Sequence, residues 1–262
     1  MTGLPPELVE AWHSHLTSLE EEFGAEALAR LREMKFGPGQ SEVAHQQPTL
    51  AYLPGLRATA WWDDESDEIA RVTSWLEEHF TEILEETAAA TKGDSEHVEP
   101  YPHLTLEGEQ ADGWDVVFLT KSGVLMLDAL DRFPTVATML ERFPRAGTFE
   151  CFVSRLAPGT HLVPHCGTNN LVLTVHLSLA IPQGDIALRV HDETRSWDPP
   201  GGTLVFDDSF EHEAWNRTDE DRLALLVSFL HPDLTEIECG IIREIMPVLS
   251  AAYEELLAGA NA

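Results

Sequence analysis

The chain is short of positive charge. Of its 262 residues only 16 are Lys or Arg against 46 Asp or Glu, a formal net charge of −30. Binding a phosphate backbone or anionic lipid needs clustered Lys and Arg, so a nucleic-acid polymer is not an expected partner and neither is a membrane. Such an excess of acid reads as a solubility feature. Cysteine is scarce too: Cys151, Cys166 and Cys239 are an odd, sparse set that suggests reduced thiols rather than a disulfide framework. No apolar run approaches the roughly 20 residues of a membrane-spanning helix. The start, MTGLPPELVEAWHSHL, lacks a basic opening and an apolar stretch, so no secretion signal is recognised and a cytoplasmic location is expected.

What is present is enough apolar material for one large core, including seven Trp and eleven Phe. Leu8, Trp12, Leu16, Leu19, Phe23, Leu28 and Leu31 recur at intervals of three or four, which predicts one or two amphipathic helices interrupted near Gly24. After the acidic, cap-like DDESDE a further helix is expected, with Ile69, Val72, Trp75, Leu76, Phe80, Ile83 and Leu84 on one face. The stretch TAAATKGDSEHVEP reads as a loop. Beyond it the pattern changes to short β runs at 148–156, 170–181, 186–191, 203–207 and 223–230, separated by APGT, IPQGD and DPPGG. Short strands without helices between them predict a mainly β sandwich or jelly roll. A helix is expected over 233–258, kinked or divided at Pro247.

Of twelve histidines, His13, His15 and His79 fall on helices as surface residues, and His45, His97, His103, His161, His191 and His231 lie in loops or at strand edges without a partner motif. His165, His176 and His212 have more distinctive settings. His165 closes a strand in APGTHLVPH, while His212, in FDDSFEHEAWN, is either a metal ligand oriented by neighbouring carboxylates or part of a polar turn. The facial triad of non-haem Fe(II) oxygenases places an acid two residues after its first histidine; here that residue is Gly167. Spacing alone does not choose between a two-histidine metal site and no site.

The ordered runs SRLAPGTHLVPHCGTNNLVLTVHLSLAIP, ETRSW and LVFDDSFEHEAWNRTDEDRLALLVSFLHPDL resemble the aspartyl/asparaginyl β-hydroxylase family of Fe(II)- and 2-oxoglutarate-dependent oxygenases, strongly over about 148–236. The resemblance implies a double-stranded β-helix with flanking N- and C-terminal helices. It implies that iron is held by His165 and His212, with Gly167 a family feature, and that Asp208 holds water at the metal. It further implies that the distal carboxylate of 2-oxoglutarate meets Arg222 and Ser154, and that His176 lines the same pocket. Such an enzyme uses O2 to hydroxylate an unactivated C–H bond, releasing succinate and CO2; the implied substrate is an amino acid, a peptidyl residue or a related small metabolite. Where the hydroxylases of peptidyl aspartate carry two arginines, this chain has Val172 and Thr174. A lost charge-assisted contact costs roughly 1.5–3 kcal/mol, enough to alter substrate preference.

Two alternatives stand beside hydroxylation: a halogenase, because position 167 offers no ligand, and a ligand-binding barrel without turnover. Residues 1–45 are expected to form a helical extension, either packed on the barrel or mediating self-association, and 46–262 the oxygenase domain, with its β core at about 100–232.

Overall fold

The computed structural model describes residues 4–63, 66–91, 98–102, 113–197 and 199–260, the side chains of 246, 250 and 253–260 excepted. His97 and His103 lie outside the described residues. The chain opens with helices α1 (Pro6–Ser18), α2 (Glu20–Phe23) and α3 (Ala29–Arg32), then strands β1 (Lys35–Phe36) and β2 (Ala51–Tyr52). Helices α4 (Asp67–Glu78) and α5 (Phe80–Ala90) follow, then strands β3 (Glu99–Pro100), β4 (Trp114–Lys121) and β5 (Val124–Leu125) and helices α6 (Leu127–Leu130) and α7 (Pro134–Arg142). The remaining strands are β6 (Ala146–Leu156), β7 (His161–His165), β8 (Val172–Ala180), β9 (Ile186–Val190), β10 (Glu193–Arg195), β11 (Thr203–Phe206), β12 (His212–Asn216) and β13 (Arg222–Leu230), before the closing helix α8 (Glu236–Ala260).

The large sheet has the order β11-β8-β13-β6-β4-β3, with β5 also paired to β4; the small sheet has the order β10-β9-β12-β7. From β6 onward the chain passes back and forth between the two sheets, every pairing antiparallel. That is the double-stranded β-helix, or jelly roll, expected from the sequence. Because side chains alternate across a strand, β4, β6, β11 and β13 of the large sheet each contribute to two cores. Phe152, Leu156, Ala224 and Leu226 face the small sheet's Leu162, Ile186, Leu188, Val190 and Ala214. Val153, Val175, Leu177 and Val227 face outward onto Ile69, Val72, Leu76, Ile83, Val136 and Met139 of the middle helices.

A third core closes one end of the barrel. Trp12, Leu16 and Leu31 of the N-terminal helices pack with Leu171, Val172 and Leu230 of the large-sheet end and with Ile241 and Ile242 of α8. The N-terminal helices therefore pack on the barrel.

The expected helices fall where their periodicity puts them. Gly24, with φ 81°, ends α2 in a conformation that L side chains resist. Ser66 caps α4 by accepting from the Glu68 amide at 3.3 Å. The helix expected across 69–84 is divided at His79, whose ring stacks on Trp75 at 4.0 Å and whose Nδ1 meets the Trp75 carbonyl at 2.8 Å. The expected loop at 87–100 begins late, since Thr87–Ala90 belong to α5. Pro247 does not divide α8; the helix runs through it, with the turn at Gly123 packed against the proline ring. Strand β4 and helices α6 and α7 were not anticipated. Six of the eight residues of β4 are buried, with Trp114, Val116 and Phe118 in the core between the sheets and Val117 and Leu119 in the core under the helices, so it lacks the alternation that marks a half-exposed strand.

Candidate active site

His165 and His212 stand directly opposite one another on the antiparallel pair β7 and β12. Residues so placed project to the same side of a sheet, and the two rings have centroids 4.2 Å apart. Each ring is oriented by its own strand: His165 Nδ1 donates to the Val163 carbonyl at 2.7 Å and His212 Nδ1 to the Phe210 carbonyl at 2.9 Å. A proton on Nδ1 leaves the lone pair on Nε2, the form in which imidazole ligates a metal. Burial pulls the His165 pKa down, favouring this neutral form.

The glutamates beside His212 do not orient it. Glu211 and Glu213 sit one residue away on the strand and so face the other side, where Arg189 bridges them and Glu213 also meets His161. Backbone carbonyls take the orienting role that the sequence suggested for carboxylates.

Asp208 lies in the turn between β11 and β12, against Gly167. Its Oδ2 accepts from Thr174 Oγ1 at 3.1 Å, and its buried Oδ1 meets no donor outside its own residue. Burial pushes its pKa up to about 6, opposed by the Thr174 hydrogen bond. Neighbouring Asp207 is the turn-capping acid: its carboxylate accepts from the amide and hydroxyl of Ser209 and from Gln46 Nε2 at 3.1 Å. Burial, with Asp208 alongside, pushes Asp207 up to about 8.

The second polar cluster lies deeper between the sheets. Ser154, Ala224 and Ser178 are aligned across β6, β13 and β8, a row of small side chains that leaves room beside the larger Phe152, Leu226 and His176. Arg222 opens β13 next to this row, only 2% exposed. Its Nη1 donates to Ser154 Oγ at 3.1 Å and its guanidinium lies 4.5 Å from the centre of the Trp197 ring, while Nε has no partner. Burial lowers its pKa to about 9. Ser154 Oγ also accepts from Trp114 Nε1 at 3.0 Å. With two donors on its two lone pairs, the hydroxyl has its own proton to give elsewhere. Trp197 Nε1 donates to His176 Nδ1 at 3.0 Å, which places the His176 proton on Nε2; desolvation and the nearby Arg222 cation hold that histidine neutral. Phe206 joins the clusters, its ring 5.0 Å from His176 and 5.7 Å from His212.

Of the six residues singled out from the sequence, His165, His212, Ser154, His176 and Arg222 lie on strands of the two sheets and Asp208 in the turn between β11 and β12. Three partners had no sequence signal of their own: Trp114, Trp197 and Gln46 gain meaning only from the residues they touch. Val172 and Thr174, the positions without arginine, have other occupations. Val172 is buried in the end core with Trp12 and Leu50, and the Thr174 hydroxyl is committed to Asp208.

The donors fit a divalent transition metal and a dianionic cosubstrate. A pair of imidazoles suits iron with several positions left open. Arg222, buried without a carboxylate partner among the described residues, suits an anion. Among the described residues no group of three His, Cys, Asp or Glu forms a conventional site.

Known proteins resemble this chain in the same region. A family model for aspartyl/asparaginyl β-hydroxylase matches residues 77–232. The human protein of that name is 33% identical over 195 residues, 72% of this chain and 25% of its own length. An ornithine lipid ester-linked acyl 2-hydroxylase from Rhizobium tropici is 36% identical over 121 residues, 45% of this chain and 42% of that protein. Among solved structures, a 2OG-Fe(II) oxygenase family oxidoreductase from Burkholderia pseudomallei aligns with 68% of this chain and 98% of its own at 13% identity and a TM-score of 0.44. The chain spans about a quarter of the length of the human relative.

Proposed function

Since the chain belongs to the aspartyl/asparaginyl β-hydroxylase family, we propose that it is an Fe(II)- and 2-oxoglutarate-dependent dioxygenase that hydroxylates an unactivated C–H bond. The observation that carries this reading is the joint presence, in one barrel, of an imidazole pair 4.2 Å apart and a buried guanidinium without a carboxylate partner among the described residues. Iron with 2-oxoglutarate and O2 supplies the oxidising power, ending in hydroxylated product, succinate and CO2.

The chain's own residues do the rest. His165 and His212 hold the metal through Nε2, their rings fixed by the Val163 and Phe210 carbonyls. Arg222 neutralises the distal carboxylate of the cosubstrate, and the proton of Ser154 Oγ, freed by the donors from Trp114 and Arg222, bonds the same group. His176, held by Trp197, presents Nε2–H as a neutral donor in that pocket. Asp208 accepts from water at the metal position. The apolar inner walls from Phe152, Leu226 and Phe206 keep bulk water out.

For the substrate, what supports a choice is the arrangement of cations. Around the barrel Arg155, Arg189, Arg195 and Arg217 are all bound to carboxylates of the chain. Neither Val172 nor Thr174 offers positive charge. The substrate is therefore one that needs no carboxylate beside the oxidised carbon: a neutral or largely apolar small molecule, or such a portion of a larger one. A relative named for acyl 2-hydroxylation is compatible with that class.

The test is succinate release by the whole chain, dependent on Fe(II) and 2-oxoglutarate, across free amino acids, peptides and acyl compounds. Release should vanish when His165 and His212 are both replaced by Ala. Fe(II) binding that survives the double replacement would overturn the assignment of the metal site.

A further inference from the structure

Residues 45–51, between β1 and β2, bind both of the chain segments that carry the histidine pair. On one side they hold the turn that leads into β12. The Glu211 amide donates to the His45 carbonyl at 2.6 Å, the Gln47 amide donates to the Ser209 carbonyl at 2.9 Å, and Gln46 forms an antiparallel bridge with Phe210. On the other side they hold the residues that follow β7. The Thr49 amide donates to the Gly167 carbonyl at 3.1 Å and the Leu50 amide to the Thr168 carbonyl at 2.8 Å, while Ala51 forms a parallel bridge with Asn169. Together these bonds form a strap that starts two residues past His165 and reaches to one residue before His212.

Gln46 anchors the strap. Its side-chain amide is buried, at 1% exposure, and such a group is costly to bury unless its donors are met. Both are met here: Nε2 donates to Asp207 Oδ2 and to Ser209 Oγ, each at 3.1 Å, and Oε1 accepts from Ser41 Oγ at 3.4 Å. Asp207 Oδ1 in turn accepts from the Ser209 amide at 3.0 Å, so Gln46, Asp207 and Ser209 close a ring of hydrogen bonds over the turn. Phe210 follows directly. Its carbonyl holds His212 Nδ1 at 2.9 Å, and its two neighbours, Ser209 and Glu211, are the residues whose backbones bond to the strap. His165 is held differently, by the Val163 carbonyl inside β7, before the residues that the strap binds.

Resting on the two-histidine metal reading, we propose that Gln46 is a positioning residue for the metal site. By locking the turn at 207–211 it fixes the Phe210 carbonyl and, through it, the direction of the His212 lone pair. Removing the outer hydrogen bonds that orient a metal ligand costs roughly 10–100-fold in metal affinity. With two protein ligands in place of three, the angle between the imidazoles rests on the supports of the two rings. The strap precedes residues 77–232, the stretch matched to the family, so part of what orients His212 comes from outside that stretch.

The test uses the full chain and the variant Gln46→Met, which keeps the length of the side chain and removes its donors. In metal-free protein the Nδ1–H signals of the two histidines are read by proton–nitrogen NMR. The His212 signal should broaden or vanish in the variant as its proton exchanges with water, while the His165 signal persists. Co(II), followed by visible absorption, should bind about 10-fold more weakly. Arg145→Leu, which lowers stability beneath α8, should leave both signals and the Co(II) affinity as in the wild type. Where Gln46→Met folds poorly, Ser209→Ala removes one of the two Gln46 bonds and should move the same readouts by less. Retention of the His212 signal, its loss together with that of His165, or an unchanged Co(II) affinity overturns the proposal. A Co(II) affinity indifferent to His165→Ala/His212→Ala overturns the metal reading instead, and the two signals alone then decide whether Gln46 orients His212.

Discussion

Arg145 and Arg222 are both buried, and their surroundings differ in a way that separates structure from function. Arg145, beneath the start of α8, donates to the carbonyls of His231 and Leu234 at 3.1 and 3.0 Å and to Glu236 at 2.6 Å, with Glu68 3.3 Å away but out of line for a hydrogen bond. Its charge and most of its donors are satisfied by the chain. Arg222, between the sheets, has one hydroxyl and one aromatic face, and burial depresses its pKa. A buried cation left without an anion costs stability, and a fold retains it where something outside the chain completes it. The comparison teaches where a ligand belongs: not where charge is greatest, but where the fold has left charge uncompensated.

The comparison is broken most directly by removing each arginine. Arg222→Leu should lower succinate release at fixed 2-oxoglutarate by about 100-fold or more, through loss of a desolvated charge pair with the cosubstrate. Its melting temperature without cosubstrate should stay level or rise, and the stabilisation that 2-oxoglutarate gives the wild type in a thermal melt should disappear. A fall in melting temperature as large as that of Arg145→Leu would mean the two are buried for the same reason.

The surroundings of Arg145 also contain a titration. His231, whose carbonyl Arg145 binds, has a ring buried against Trp62; Nδ1 accepts from the Asp233 amide, and burial lowers its pKa to about 4. An unfolded histidine titrates near 6.5, so between about pH 6.5 and 4 the unfolded chain binds more protons and folding weakens as pH falls. The contribution amounts to about 3 kcal/mol at pH 4. Denaturant melts of wild type and His231→Gln, compared across that window, should show the variant losing less stability on acidification.

Arg145→Leu itself should cost about 2 kcal/mol, less than a fully buried pair, because Glu236 is largely exposed and rehydrates. Turnover per folded molecule should be unchanged. The smallest effect is expected from Ser66→Ala at the start of α4, the helix that carries Glu68 past Arg145: about 1 kcal/mol in a chemical melt, from the lost cap.

Much of the fold was legible because its signals are local. The three-to-four spacing of Ile69, Val72, Trp75 and Leu76 marks the face of α4 that is buried, and the β runs around 148–156 and 223–230 became β6 and β13. Strand β4 was not anticipated, although like β8 and β13 it is buried on both faces. Helix α8 was expected to yield at Pro247, and a packing contact with the turn at Gly123 accompanies its continuity. At the site, resemblance supplied the residues and the structure supplied their relations: Phe210, not Glu211 or Glu213, orients His212, and Thr174 is committed to Asp208.

The sequence by itself determined the succession of short β runs that makes much of the two sheets, the family that the chain resembles, and the candidate residues His165, His212 and Arg222. Only the tertiary structure decided that the two histidines face each other across β7 and β12, that Arg222 lacks the carboxylates Arg145 has, and that Asp208 fills the space beside Gly167. The reason is physical. Periodicity is a property of neighbours along the chain, whereas burial, hydrogen-bond satisfaction and steric exclusion depend on strand register between residues tens of positions apart.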